Sequence, residues 1–335
     1  MSTAEEFNST DNPLRDFVGY GRNPPNAEWP NGARIAVSFV LNYEEGGEYG
    51  PLNGDNRTEA NLNERFGAVP IRGGRRDVPM ESQFEYGSRA GVWRIMNLFD
   101  KHNMKITIYA VGRALEVNPP AGPEFEMHGH ELAMHGYRWI EYGEFEGDEE
   151  AEKALIRKGI EAVQKSSPSG RPPTGWYIGR PSSKTRALIA QVHKEMDLPL
   201  LWQSDSYSDD LPYWIPYPGG RKSEGLLMIP YSYDNNDFKF STPPGWTSAK
   251  GFEEHLINAF DTLYEEGGKM MSIGLHCRVI GKPGRFPALK NFVEYISKKQ
   301  GVWIATRTEI AKHWIDKFPY KPEEVKYALP FAEPW

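Results

Sequence analysis

After a polar, proline-bearing start, the run Ile35-Ala36-Val37-Ser38-Phe39-Val40-Leu41 is nearly continuous in apolar residues. Such a run predicts a parallel strand covered on both faces. Similar short runs recur at Ile106 to Val111, Gly129 to His135, Gly175 to Gly179, Leu200 to Gln203, Leu226 to Tyr231, Met271 to His276 and Val302 to Thr306. Helical spacing appears between them. Val92, Ile95, Met96 and Phe99 predict a helix over Tyr86 to His102, and Ala154, Leu155, Ile160 and Val163 mark the buried side of a charged helix from about Asp148 to Lys165. Ser183 to Met196 and Gly251 to Glu266 read the same way. About eight strands separated by helices or loops, with no second core and no internal repeat, predict an α/β barrel.

The pattern divides the chain into an extended N-terminal arm over 1–34, one barrel domain over 35–320 and a tail over 321–335. Pro51 to Pro79 is long, polar and rich in glycine, and part of this loop is expected to cover the site. A net charge of −7 gives no electrostatic footprint for nucleic acid. No apolar run reaches the length of a membrane span, and Met1 to Asn12 lacks the order of a secretory signal. The single cysteine, Cys277, excludes an internal disulfide and any multi-cysteine zinc site. A cytoplasmic protein with a small-molecule substrate is expected.

Candidate chemistry lies where strands end. The first strand delivers Glu44, the third His135, the fourth Arg180, the fifth Asp205 and the seventh His276. A barrel brings such positions together at its C-terminal mouth. Each residue alone has a plainer reading. Glu44, with Glu45 and Glu48, would suit an exposed acidic loop, Arg180 and Arg278 would suit surface anchors, Asp205 would cap a turn, and Trp139 would pack at the barrel rim. A Cys277 nucleophile beside His276 is disfavoured because neighbours on a strand face opposite ways.

The stretch Gly129-His130-Glu131-Leu132-Ala133-Met134-His135-Gly136-Tyr137-Arg138-Trp139 resembles the polysaccharide deacetylase signature Gly-His-Glu-(aliphatic)-x-x-His-x-x-x-His, whose last two histidines hold a zinc ion. Other segments resemble the metal-independent allantoinase and cyclic imide hydrolase branch of that superfamily. They include Leu41 to Glu48, Glu85 to Gly91, Gly175 to Arg180, Asp205 to Trp214, Asp234-Asn235-Asn236-Asp237 and Leu275 to Arg285. The resemblance implies a deformed (β/α) barrel of seven to eight strands, hydrolysis of a carbon–nitrogen bond in a cyclic amide such as allantoin or a cyclic imide, and a homotetramer.

Carried over residue by residue, the metal positions keep His135 and a carboxylate, Glu44, but hold Trp139 in place of the second histidine. An indole does not ligate zinc, so no cofactor is expected. Any residual metal would rest on Glu44 and His135. The catalytic candidates are Glu44 or His135 as general base, the other orienting it, and His276 as acid to the leaving nitrogen. Arg180 or Arg278 would hold the substrate or its oxyanion, Trp139 would form a flat wall against the ring, and Asp205 and Arg285 complete the binding set. Two alternatives stand beside this reading. One is a metal-dependent N-deacetylase acting on chitin or peptidoglycan, and the other is an inactive ligand-binding barrel.

Overall fold

The first strand, β1 (Ile35–Tyr43), is buried along its whole length because it is covered on both faces. Ile35, Val37, Phe39, Leu41 and Tyr43 pack outward into the larger core cluster, while Ala36 and Val40 point into the barrel interior. This two-sided burial explains the uninterrupted apolar run. The computed structural model describes residues 16–64 and 69–325.

Eight further strands follow: β2 (Thr107–Ala110), β3 (Glu131–Met134), β4 (Gly175–Trp176), β5 (Trp202–Gln203), β6 (Tyr213–Pro216), β7 (Gly225–Met228), β8 (Lys269–His276) and β9 (Val302–Ile304). They form one sheet in the order β6-β7-β5-β4-β3-β2-β1-β8, with β9 beside the start of β1. All neighbours run parallel except β6 and β7. The chain after β7 reaches β8 through a bridge between Asn236 and Gly274, which curls the sheet into the expected deformed barrel. Strand β6 was not among the elements expected from the pattern. It is a short edge strand that ends in Pro216 and follows Pro212, and an edge is where the ladder tolerates proline.

The helix expected from Tyr86 starts earlier and is interrupted. Asp77 caps α1 (Val78–Tyr86) by accepting from the Met80 amide, a widened turn occupies Gly87–Gly91, and α2 (Val92–Lys101) follows. The short helices α3 (Gly112–Val117) and α4 (Ala121–Met127) precede β3. The charged helix is α5 (Glu149–Ser166), capped by Asp148, and α6 (Thr185–Glu195) and α7 (Ala249–Glu266) occupy the other expected segments. Helix α8 (Phe286–Ile296) packs against α7 and brings the Phe292 ring to that of Phe39 on β1, and α9 (Arg307–Lys317) opens with a capping box of Thr306 and Glu309.

Of the N-terminal arm, residues 16–34 lie on the barrel. The Trp29 indole N–H donates to the Lys269 carbonyl at 2.8 Å, and its ring meets those of Trp303, His313 and Trp314. The first fifteen residues and the last ten fall outside the described set. Parallel pairing sets Asn42 opposite His276 and Tyr43 opposite Ala110, so the exits of β1, β2 and β8 lie side by side. The site is built on that rim.

The widened turn of Gly87–Gly91 is pressed against the β8 exit. A β-carbon on Gly91 would overlap the Cys277 carbonyl, and one on Gly87 would overlap the Glu45 carboxylate. Backbone against backbone cannot yield, so Gly91→Ala is expected to cost about 1–3 kcal/mol of stability. Urea unfolding checks this, and an unchanged midpoint would show that the contact is soft.

Candidate functional site

Glu44 leaves β1 into the barrel mouth and is 1% exposed. Its Oε1 lies 3.1 Å from His135 Nε2 and 3.6 Å from His276 Nε2, while its Oε2 lies 2.8 Å from Arg278 Nη1. Three separate strand exits therefore converge on one carboxylate. Burial alone would raise the pKa of Glu44, but Arg278, His276 and His135 outweigh it and hold the carboxyl well below the usual range.

His135 is fixed by its other nitrogen. Nδ1–H donates to the Tyr177 carbonyl at 2.9 Å, which turns Nε2 toward Glu44 Oε1 at 3.1 Å and completes a buried pair. Asp205 supports this arrangement indirectly. Its carboxylate accepts from the amides of Ile178 (3.0 Å) and Gly179 (2.7 Å), which sets the turn that presents Tyr177, and burial raises its pKa.

His276 is oriented by a residue to which the sequence reading assigned no role. Its Nδ1–H donates to Asp237 Oδ1 at 2.6 Å, and Asp237 Oδ2 accepts the amides of His276 at 2.8 Å and Ile280 at 3.0 Å. Burial pulls the His276 pKa down, yet the carboxylates of Asp237 and Glu44 prevail and raise it, against a smaller opposing effect of Arg278. Asp237 belongs to the Asp234-Asn235-Asn236-Asp237 segment, a visible signal, but its partner stands 39 positions away.

Arg278 is 2% exposed and lies with its guanidinium carbon 4.1 Å above the Phe84 ring and 5.0 Å above that of Trp139. Nη1 also reaches Glu45 at 3.4 Å. Its Nε and Nη2 are buried and hydrogen-bond to no acceptor among the described residues. Burial raises the pKa of Glu45, and it pushes that of Glu48 up to about 7. Of the three clustered glutamates, only Glu44 has its pKa lowered.

The remaining binding candidates stand further out. Trp139, expected as a flat wall against the substrate ring, is buried, and its own ring carries the Arg180 guanidinium at 3.8 Å as well as that of Arg278. Arg180 pairs with Glu59 at 3.1 Å, a residue of the long loop after Pro51. Arg285 pairs with Glu64 through both terminal nitrogens, at 2.7 and 2.9 Å, and stacks on Phe240 instead of joining the Glu44 cluster. Asn42 donates to the Tyr231 hydroxyl at 2.9 Å and to the Leu275 carbonyl at 3.0 Å, roles that brace the rim.

The donor set does not fit a catalytic zinc ion. Glu44 and His135 meet, but the second Glu44 oxygen faces the fixed positive charge of Arg278, and Trp139 supplies no lone pair. Among the described residues, no group of three or more histidine, cysteine, aspartate or glutamate side chains is arranged to hold a metal.

Comparison with known proteins places this chain in a family. Residues 76–200 match the polysaccharide deacetylase family model. A putative polysaccharide deacetylase of Schizosaccharomyces pombe is 45% identical over 322 residues, covering 92% of this chain and 98% of the relative. The crystal structure of PuuE allantoinase shares 45% identity and superposes with a TM-score of 0.86 over 92% of this chain and 99% of that one. A probable polysaccharide deacetylase from Pseudomonas aeruginosa PAO1 shares 44% identity with the same TM-score and coverage. A curled parallel sheet with its polar residues at the strand exits, matched along nine-tenths of its length by such a relative, makes this chain a member of the polysaccharide deacetylase family.

Proposed function

We propose that the protein hydrolyses a carbon–nitrogen bond in a cyclic amide, opening the ring of a ureide such as allantoin or of a cyclic imide. The observation that carries this reading is the convergence of His135 and His276 within 3.1 and 3.6 Å of one Glu44 oxygen, in a chain 45% identical to an allantoinase. Base and acid then stand on either side of a single reacting centre.

The Glu44–His135 pair acts as the base. Water attacks the ring carbonyl carbon, its proton passes to the pair, and the carbonyl electron pair moves onto oxygen. Collapse of that intermediate breaks the carbon–nitrogen bond while His276 Nε2–H protonates the departing nitrogen. The new carboxylic acid releases its proton to solvent. The proton on the base returns to His276 across the 3.6 Å between Glu44 Oε1 and Nε2.

Substrate choice lowers the barrier as well. In a hydantoin or imide the leaving nitrogen is stabilised by a second carbonyl, so positioned acid and base groups, each contributing roughly 10²- to 10⁴-fold, suffice more readily than for a plain acetamide. The reading extends to a cytoplasmic homotetramer with a role in purine degradation that works without a metal.

Protein stripped with chelator is expected to open allantoin or a cyclic imide at its full rate. Turnover that vanishes and returns only with zinc would transfer the site to metal-dependent deacetylation. His276→Ala is expected to lower kcat by at least about 100-fold with the fold intact. Near-normal turnover would remove His276 from the reaction.

The acid must be protonated, so activity is lost as pH rises through the raised pKa of His276. Asp237, Glu44 and Arg278 are the charged groups facing it. Asp237→Asn removes the nearest negative charge and is expected to move the alkaline limb of the kcat/KM profile to lower pH. A limb that stays in place would show that another group controls it.

A further inference from the structure

Arg278 pairs with Glu44 and yet keeps two buried guanidinium nitrogens that find no acceptor among the described residues. One terminal nitrogen, Nη1, is committed to Glu44 at 2.8 Å and Glu45 at 3.4 Å. The orphaned donors are Nε and Nη2. These two lie on one edge of the planar guanidinium, and their N–H bonds run parallel, the fork that grips an oxygen pair or a single developing oxyanion. Burying a charged group with unmet donors is costly unless something returns the energy. An oxygen that gains negative charge during reaction does so.

The surroundings hold this plane still. Phe84 lies under the guanidinium at 4.1 Å and Trp139 at 5.0 Å, and Trp139 is itself pinned by Arg180 at 3.8 Å, which Glu59 anchors at 3.1 Å. Glu59 and Glu44 thus bracket a run of Arg180, Trp139 and Arg278. The position where the family signature has a histidine ligand is filled by a ring that carries a cation.

We propose that Arg278 is a catalytic residue that polarises the scissile carbonyl, its Nε–Nη2 edge binding the oxygen that becomes the oxyanion, and that Trp139 is the positioning residue that holds this edge in place. The inference rests on the cyclic-amide reading above. Because Nη1 of the same rigid plane holds Glu44, base and oxyanion site keep a fixed separation. Water attacks from the Glu44 side, the carbonyl electron pair moves to the oxygen on the Arg278 edge, and that pair re-forms the double bond as the carbon–nitrogen bond breaks. Arg278 gains and loses no proton throughout.

The test measures kcat and KM separately for Arg278→Ala on the ring substrate that the wild type opens. Loss of an oxyanion donor is expected to lower kcat about 10²- to 10³-fold while KM changes only a few-fold. Free guanidinium ion at millimolar concentration is expected to restore part of the kcat, an effect that a structural defect does not show. Retention of kcat within about threefold, or a loss confined to KM, overturns the proposal.

Should Arg278→Ala fail to fold, as judged by circular dichroism, Arg278→Lys decides by the same criteria, since lysine keeps the charge and lacks the fork. For the positioning role, Trp139→Phe is expected to keep most of the kcat and Trp139→Ala to lose it at nearly unchanged KM. Equal kcat in both variants removes Trp139. A wild type that opens no cyclic amide fails the broader reading, whereas an active wild type with an equally active Arg278→Ala fails this inference alone.

Discussion

The contact on which the site depends is the buried ion pair of Glu44 and Arg278, 2.8 Å long with both side chains almost wholly enclosed. Neither charge is tolerated alone in such surroundings, because desolvation of an unpaired ion costs several kcal/mol. Around the pair, each neighbour has a local reason for its identity. Phe84 and Trp139 offer ring faces to the guanidinium, and Gly87 leaves room for the Glu45 carboxylate that also reaches Arg278. Gly91 lets the preceding turn press against the backbone of Cys277, between His276 and Arg278. A glutamate that would otherwise take up a proton on burial is held ionised by this arrangement.

That same pair separates the titrating groups. Glu44 is driven toward its charged form by three neighbours, His276 toward its protonated form by Asp237 and Glu44, and Glu45 and Glu48 away from ionisation by burial. Carboxylates within five positions of each other in sequence thus take different states. The difference comes from which of them meets Arg278 most closely, Glu44 at 2.8 Å against Glu45 at 3.4 Å, whereas for Glu48 burial outweighs the amide hydrogen bond it accepts from Gly46. An ionised Glu44 and a His276 drawn toward its protonated form can then coexist 3.6 Å apart.

Membership of the deacetylase family and the loss of a signature histidine at Trp139 are compatible because they rest on different parts of the molecule. The family likeness lies in the strand order and in the rim that displays residues from separate exits. The chemistry lies in a few side chains on that rim, and exchanging a histidine for Trp139 changes what can be held there without disturbing the sheet below. Beneath the site, the barrel interior is closed by ordinary packing, with Tyr109, Tyr177 and Tyr231 ring against ring and Arg307 donating to the Tyr109 hydroxyl at 2.6 Å.

The strands, their parallel character and the residue types at their exits are legible in the chain itself, since two-sided burial writes a continuous apolar run such as Ile35 to Leu41 and a parallel sheet places every strand exit on one rim. Glu44, His135 and His276 follow from that rule, and Trp139 is conspicuous where the signature has a histidine. Partnership is not legible. Asp237 finds His276 across 39 positions and Arg278 finds Glu45 across 233, because those contacts depend on strand register and on loop paths that hydrophobic period does not encode. The same limit hid β6, an edge strand too short and too proline-bound to show alternation. Arg285 and Arg278 are alike in sequence, seven residues apart, yet one turns outward to Glu64 and the other inward to Glu44. Alternation along a strand decides which face a residue takes, and only the packed structure decides what it meets there.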